Sequence, residues 1–351
     1  MISLYDQSYD ELKEFSLNQG WKAYRGHQIF RWLYRQRVME IEEMSDLKKE
    51  TRDILRENFT LAPLQLRDKQ ISKDGTRKYL FTLSDGSLIE SVLMSYEFGK
   101  SICVTSQVGC NMGCAFCASG LLKKKRDLTA GEMVAQVLMV QKDLDENQER
   151  LSHIVVMGTG EPFDNYDNLM KFLKIVNDDQ GLGIGARHIT ISTCGIVPRI
   201  YDFSKEHTQY NLAISLHAPN DELRNELMPI NKAYPLDELM KAIDVYMSEN
   251  NRRLTFEYIL LRGVNDKKEH IAQLAKLVKG INAYVNLIPY NAVDENGYQG
   301  VDYPHAMRFY DALMKLGVRC TIRKEHGGDI DAACGQLRAK HMRKNMQEVI
   351  K

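Results

Sequence analysis

The sequence has no apolar run approaching the roughly eighteen residues that a bilayer-crossing helix needs, so no membrane contact is expected. Its first residues, "MISLYDQSYDELKEF", are acidic and lack the basic start and apolar stretch of a secretory leader. A cytoplasmic protein is therefore expected. In that reducing compartment the seven cysteines read as free thiols, metal ligands or catalysts rather than structural disulfides, and their odd number leaves one outside any pairing. Net charge is also missing: 47 basic residues face 47 acidic ones, without the whole-chain electrostatic footprint of many nucleic-acid binders. Cationic density is only local, in "KKKR" at residues 123–126 and in the tail "RAKHMRKNMQEVIK", and such runs are usually solvated faces. There is no low-complexity linker and no repeat beyond a strand–helix rhythm. At 351 residues the chain can bury a sizeable core, as one large domain with an appendage or as two domains.

What is present falls into three regions. Residues 1–60 carry helical periodicity in "YDELKEFSLNQ", "RGHQIFRWLYRQR" and "LKKETRDILRENF", predicting a small helical domain. Residues 61–100 alternate as strands do, with "KDG" and "SDG" as turn signals, predicting a linking β-hairpin sheet that carries Glu90. Residues 101–351 interleave β-branched runs ("HIVVMG", "HITISTCG", "NLAISLHA", "LTFEYILL", "AYVNLIPYN", "VRCTIRK") with amphipathic segments such as "TAGEMVAQVLMVQKDL" and "PLDELMKAIDVYMSE". Six or seven such units predict an α/β fold with a parallel sheet, either a complete or partial (β/α) barrel or a doubly wound sheet. In a barrel the chemistry sits at the C-terminal strand ends, where the βα loops converge.

One of those loops holds "CNMGCAFC", which places Cys110, Cys114 and Cys117 within eight residues. A structural zinc site normally closes with four protein ligands, and ordinary iron–sulfur sites also favour four thiolates. The remaining cysteines, at 103, 194, 320 and 334, are distant in sequence. Three thiolates in one loop suit a 4Fe-4S cube with one iron left open; zinc completed by a distant Cys or His is the competing reading. Further on, "VVMGTGEPFDN" offers Gly158 and Gly160, whose missing side chains would let backbone approach a ligand, and Glu161, which could accept from an ammonium group.

CxxxCxxC with Phe116 before its third cysteine, followed by a GxGE segment, resembles the radical S-adenosylmethionine (SAM) superfamily. The finer segments "SQVGCNMGCAFC", "GTGEPFDNYDNLM", "ARHITISTCGIVP", "AISLHAPNDELRNELMPIN", "RRLTFEYILLRGVND", "VNLIPYN" and "DIDAACGQLRAK" resemble, in order, those of the RlmN family of adenine-C2 methyltransferases. That resemblance implies a partial (β/α)6-type radical SAM barrel with an N-terminal helical domain. It implies one 4Fe-4S cluster on Cys110, Cys114 and Cys117, with SAM completing the open iron and two SAM used per turnover.

The family's SAM contacts carry over to Gly160, Glu161, Ser192, Ser215, Leu216, His217 and Asn291. Its methyl-carrying cysteine matches Cys334, its acid/base glutamate Glu90 and its resolving cysteine Cys103, which implies a transient Cys103–Cys334 disulfide. Read alone, Glu90 would be a surface residue on an alternating strand, Cys103 a small buried hydrophobe, Cys334 structural and His217 a satisfied core histidine. Cys194 and Cys320 gain no support from the resemblance and read as packing residues.

The implied substrates are adenosine 2503 of 23S rRNA and adenosine 37 of tRNA, presented unstacked; the implied electron donor is of flavodoxin type, and a monomer is expected. With no net charge, RNA contact would rest on residues 123–126, the N-terminal helices and the basic tail. Three rivals stand beside this reading. The sister Cfr enzymes modify C8 of the same rRNA adenine, but Pro162 after Glu161 follows the C2 enzymes, where Cfr has Ala. Another radical SAM enzyme, such as an activase, would not need Glu90, Cys103 and Cys334 together. The third rival is a zinc and RNA-binding module without catalysis.

Overall fold

The computed structural model describes residues 1–62, 64–121, 123–250, 252–291, 296–323 and 326–330. Cys334 and the basic tail lie outside the described residues.

The three N-terminal helical segments form where their periodicity places them. Tyr9–Asn18 opens with a reciprocal cap between Ser8 and Glu11, Tyr24–Arg31 runs on into a wider turn at Trp32–Gln36, and Lys49–Asn58 follows. Ile2–Ser3 pairs with Phe59–Thr60 and closes this unit on itself. The unit docks on the barrel through ion pairs from Lys171 to Glu11 and from Lys174 to Asp10, both 2.7 Å. Its Asp6 also accepts from the Gly131 N–H at the start of helix Ala130–Asp145.

The central sheet has ten strands. Seven run parallel in sequence order: Gly99–Cys103, Leu151–Val156, Ile189–Thr193, Asn211–Ser215, Leu254–Leu260, Ala283–Pro289 and the short Cys320–Ile322. The sheet is parallel-dominated with helices in its crossovers, as a partial (β/α) barrel requires. Strands Gln65–Ile71, Arg77–Thr82 and Leu88–Tyr96 are antiparallel and extend this same sheet, because Leu88–Tyr96 pairs with Gly99–Cys103. Both turn signals are used: Gly75 and Gly86 take φ of +83° and +77°, which a side chain would resist.

The crossover helices Ala130–Asp145, Tyr166–Asn177, Leu236–Glu249, Lys268–Leu277 and Tyr303–Lys315 cover the sheet. Two shorter ones follow, Val197–Lys205, which buries Val197, Ile200 and Phe203, and Asp221–Leu227. Among the described residues no helix is long and apolar enough to cross a membrane.

Candidate active site

Parallel pairing sets which side chains face the barrel interior. Ser192 is abreast of Ala213, and Ser215 of Glu257, which is abreast of Asn286. Residues side by side on neighbouring strands share a face. The interior is therefore polar toward the C-terminal strand ends, and a cavity of about 340 Å³ opens there. Its walls include Cys103, Cys110, Cys114 and Cys117, together with Gly160, Glu161, Ser192, Ser215, His217 and Asn291.

The cysteine loop is held from three sides. The Cys117 N–H donates to the Cys114 carbonyl at 3.1 Å, and the Ala115 N–H to the Leu227 carbonyl at 2.9 Å. The Tyr290 hydroxyl donates to the Phe116 carbonyl at 3.0 Å, and the Phe116 ring meets His217 edge-on with centroids 4.9 Å apart. Burial pushes the Cys110 thiol up to about 11 and that of Cys114 further up. Among the described residues, no three His, Cys, Asp or Glu side chains are placed to hold a single metal ion. Three soft thiol donors on one cavity wall suit iron–sulfur chemistry.

The glycines of "GTGE" line the cavity and also lie tightly against the chain itself. A Cβ on Gly158 would lie 2.7 Å from Thr105 Oγ1, and one on Gly160, at φ +111°, would lie 2.6 Å from the Gln107 Cβ. The close approach they permit is to the chain's own segment after strand Gly99–Cys103. Glu161 is buried, and its two oxygens accept from the N–H groups of Phe163 at 3.0 Å and Cys194 at 2.7 Å. Burial pushes its carboxyl up. Cys194, read as packing, thus anchors Glu161 through its backbone and also lines the cavity. Cys320 is a buried core residue.

Ser192 and Ser215 place their hydroxyls 3.3 Å apart on adjacent strand ends. His217 is buried in a left-handed backbone conformation, φ +57°. Its Nδ1 accepts from the Ile259 N–H at 3.1 Å, and burial holds the imidazole down to about 3, so the ring is neutral at pH 7. Leu216 does not line the cavity; its carbonyl accepts from Arg224. Asn291 stands exposed at the rim.

Glu90 is not the surface residue that alternation alone suggests. It is buried on strand Leu88–Tyr96, its carboxylate 2.8 Å from the ammonium of the equally buried Lys78. Val92 and Met94, on the same face of that strand, line the cavity; Glu90 sits one step beyond its wall.

Arg224 escaped the sequence reading although it lies inside "NDELRNELMPIN". It is 0% exposed and donates to the carbonyls of Cys194, Ser215 and Leu216 and to Asn231 Oδ1. It thereby ties the loops after two barrel strands together. Nothing local marks such a residue, since its acceptors come from separate strand ends.

The basic run at residues 123–126 is largely matched by acids. Lys124 pairs with Asp127 and Asp164, Lys125 with Asp85, and Arg126 with Asp85 and Glu132. These pairs tie the run to the hairpin turn at Asp85 and to the start of helix Ala130–Asp145, while Lys123 stands exposed.

A profile of the Radical SAM superfamily matches residues 104–275, and one described as the ribosomal RNA large subunit methyltransferase N-terminal domain matches residues 2–61. The chain is 56% identical over 338 residues to the probable dual-specificity RNA methyltransferase RlmN of Staphylococcus saprophyticus, covering 96% of this chain and 93% of that protein. It is 56% identical over 347 residues to the counterpart of Listeria welshimeri, covering 97% and 95%. A solved radical SAM methyltransferase from Sphaerobacter thermophilus matches with a TM-score of 0.92 at 43% identity, covering 96% of this chain and 99% of that one.

Proposed function

The chain belongs to the RlmN family of the radical SAM superfamily, and from that premise we propose that it methylates C2 of adenine 2503 in 23S rRNA and of adenine 37 in tRNA. The observation that carries this reading is that Cys103 and the three loop thiols wall one cavity with Ser192, Ser215 and His217 at the barrel's strand ends. Cys110, Cys114 and Cys117 would hold a 4Fe-4S cluster, and the hydroxyls of Ser192 and Ser215 suit the polar groups of SAM. When bound, these two groups supply a methyl group and a one-electron route for removing a hydrogen atom, with two SAM consumed per turnover.

Adenine C2 lies between two ring nitrogens and is electron-poor, so it has no electron pair with which to attack a methyl group. The sulfur of Cys334 takes the methyl first; that methyl group then loses one hydrogen atom by the one-electron route, and its carbon, still bonded to sulfur, joins C2. The joined species gives up one electron, for which the cluster held by Cys110, Cys114 and Cys117 would be the acceptor, and its C2 proton, which Glu90 accepts. The Cys103 thiolate then attacks the Cys334 sulfur. The methylene carbon keeps the electron pair of the broken carbon–sulfur bond and takes a proton to become the methyl group. A Cys103–Cys334 disulfide remains, which an external reductant reopens. A flavodoxin-type donor supplies the starting electron, and the working unit is a cytoplasmic monomer that receives the adenosine unstacked.

The route is tested by incubating the reconstituted protein with methyl-labelled SAM without RNA and mapping the label by peptide mass spectrometry. Label on Cys334 is expected. An unlabelled Cys334 in protein that later methylates RNA would overturn the route.

A further inference from the structure

A lysine is rarely fully buried unless its charge is matched. Lys78 has 0% of its side chain exposed, Glu90 has 4%, and 2.8 Å separates Nζ from Oε2. Lys78 is abreast of Val92, which is abreast of Cys103, so the three form one row across neighbouring strands on the face that carries the cavity. The pair therefore lies one step behind the wall that carries the resolving cysteine. The Glu90 backbone is fixed as well: its carbonyl accepts from Thr105 Oγ1 at 2.7 Å, and Ser91 Oγ donates to Gln136 at 2.8 Å.

We propose that Lys78 is the positioning residue for Glu90, holding its carboxylate by the buried ion pair and aimed so that it can accept the C2 proton when the RNA adduct is resolved. The inference rests on the role given to Glu90 above. The physical reason is that burial favours the neutral form of a carboxyl group, and a protonated carboxyl cannot take a second proton. A buried ammonium beside it supplies an opposing charge, and removing one partner takes that charge away from the other. In the transfer the C–H electron pair stays with the adenine ring and the proton moves to Glu90, while Lys78 keeps its own protons.

The test uses the full-length holoenzyme, reconstituted anaerobically, with an unmodified RNA fragment and a chemical reductant. Wild type, Lys78→Met, Lys78→Arg and Glu90→Gln are compared by three readouts: methyl on Cys334, yield of 5′-deoxyadenosine, and the decay rate of the covalent protein–RNA adduct across pH. For Lys78→Met the first two should stay within about a factor of two, while adduct decay slows by roughly a hundredfold, in the range of a lost general base. Lys78→Arg, which keeps the charge, should recover most of that rate.

Adduct decay in Lys78→Met at the wild-type rate, with Glu90→Gln stalled, would overturn the role of Lys78 and leave that of Glu90 standing. Wild-type decay in both variants would overturn the Glu90 reading and this inference with it. An equal fall in all three readouts, unrelieved by Lys78→Arg, would make Lys78 a structural residue only.

Discussion

The backbone N–H of Cys194 donates to the carboxylate of Glu161 across 2.7 Å, joining the loop after strand Ile189–Thr193 to the loop after strand Leu151–Val156. Because the other oxygen of Glu161 accepts from Phe163, the side chain sets the shape of one cavity wall. In Glu161→Gln one of the two backbone donors must face an NH₂ group. The variant should lose about 1–3 kcal/mol of stability and bind SAM measurably more weakly by calorimetry on the reconstituted protein. Unchanged stability and affinity would show that the two loops hold without the carboxylate.

Arg224 carries a parallel expectation. A lysine ammonium cannot reproduce a planar fork spread over four acceptors, so Arg224→Lys leaves buried carbonyls unpaired. A loss of about 3 kcal/mol or more is expected in urea unfolding, with SAM affinity falling alongside because Ser215 and His217 lie in the segment that Arg224 ties down.

His217 gives a pH dependence with a definite sign. Its imidazole is held at about 3 in the fold against 6.5 for the free group. Below pH 6.5 the unfolded chain takes up a proton that the folded chain refuses until about pH 3. The stabilisation is thus complete above 6.5 and is lost as pH falls through that window. At pH 5 the loss from this one group is about 2 kcal/mol. Urea unfolding at pH 7 and pH 5 should therefore show a steeper fall for wild type than for His217→Gln.

How much of this was legible in the sequence follows from how local each signal is. The cysteine loop, "GTGE" and the strand-end serines are short segments whose spacing and order survive folding unchanged. Alternation in "LIESVLM" puts Glu90, Val92 and Met94 on one face but cannot say that a barrel covers that face, so the burial of Glu90 was hidden. Lys78 and Arg224 were invisible because their partners come from other strands or from separate loops. The pairing of the run at residues 123–126 was hidden for the same reason: Asp85, Asp164 and Glu132 are brought to it by the fold.

These ion pairs give a further expectation. Arg126 holds both oxygens of Glu132, at 2.7 and 2.8 Å, and reaches Asp85 at 2.9 Å. Arg126→Ala should lower stability by about 1 kcal/mol while leaving the salt dependence of RNA binding, measured by filter retention, as in wild type. A shallower salt slope would place this run in the RNA interface.

The reaction is defined by the adenine carbon that receives the methyl group. The reconstituted enzyme, given methyl-deuterated SAM, a reductant and unmodified 23S rRNA fragment or tRNA, should yield adenosine carrying the label at C2 when the digested nucleosides are resolved by mass spectrometry against standards. Label at C8, or no methylated adenosine from protein with an intact cluster, would contradict the account.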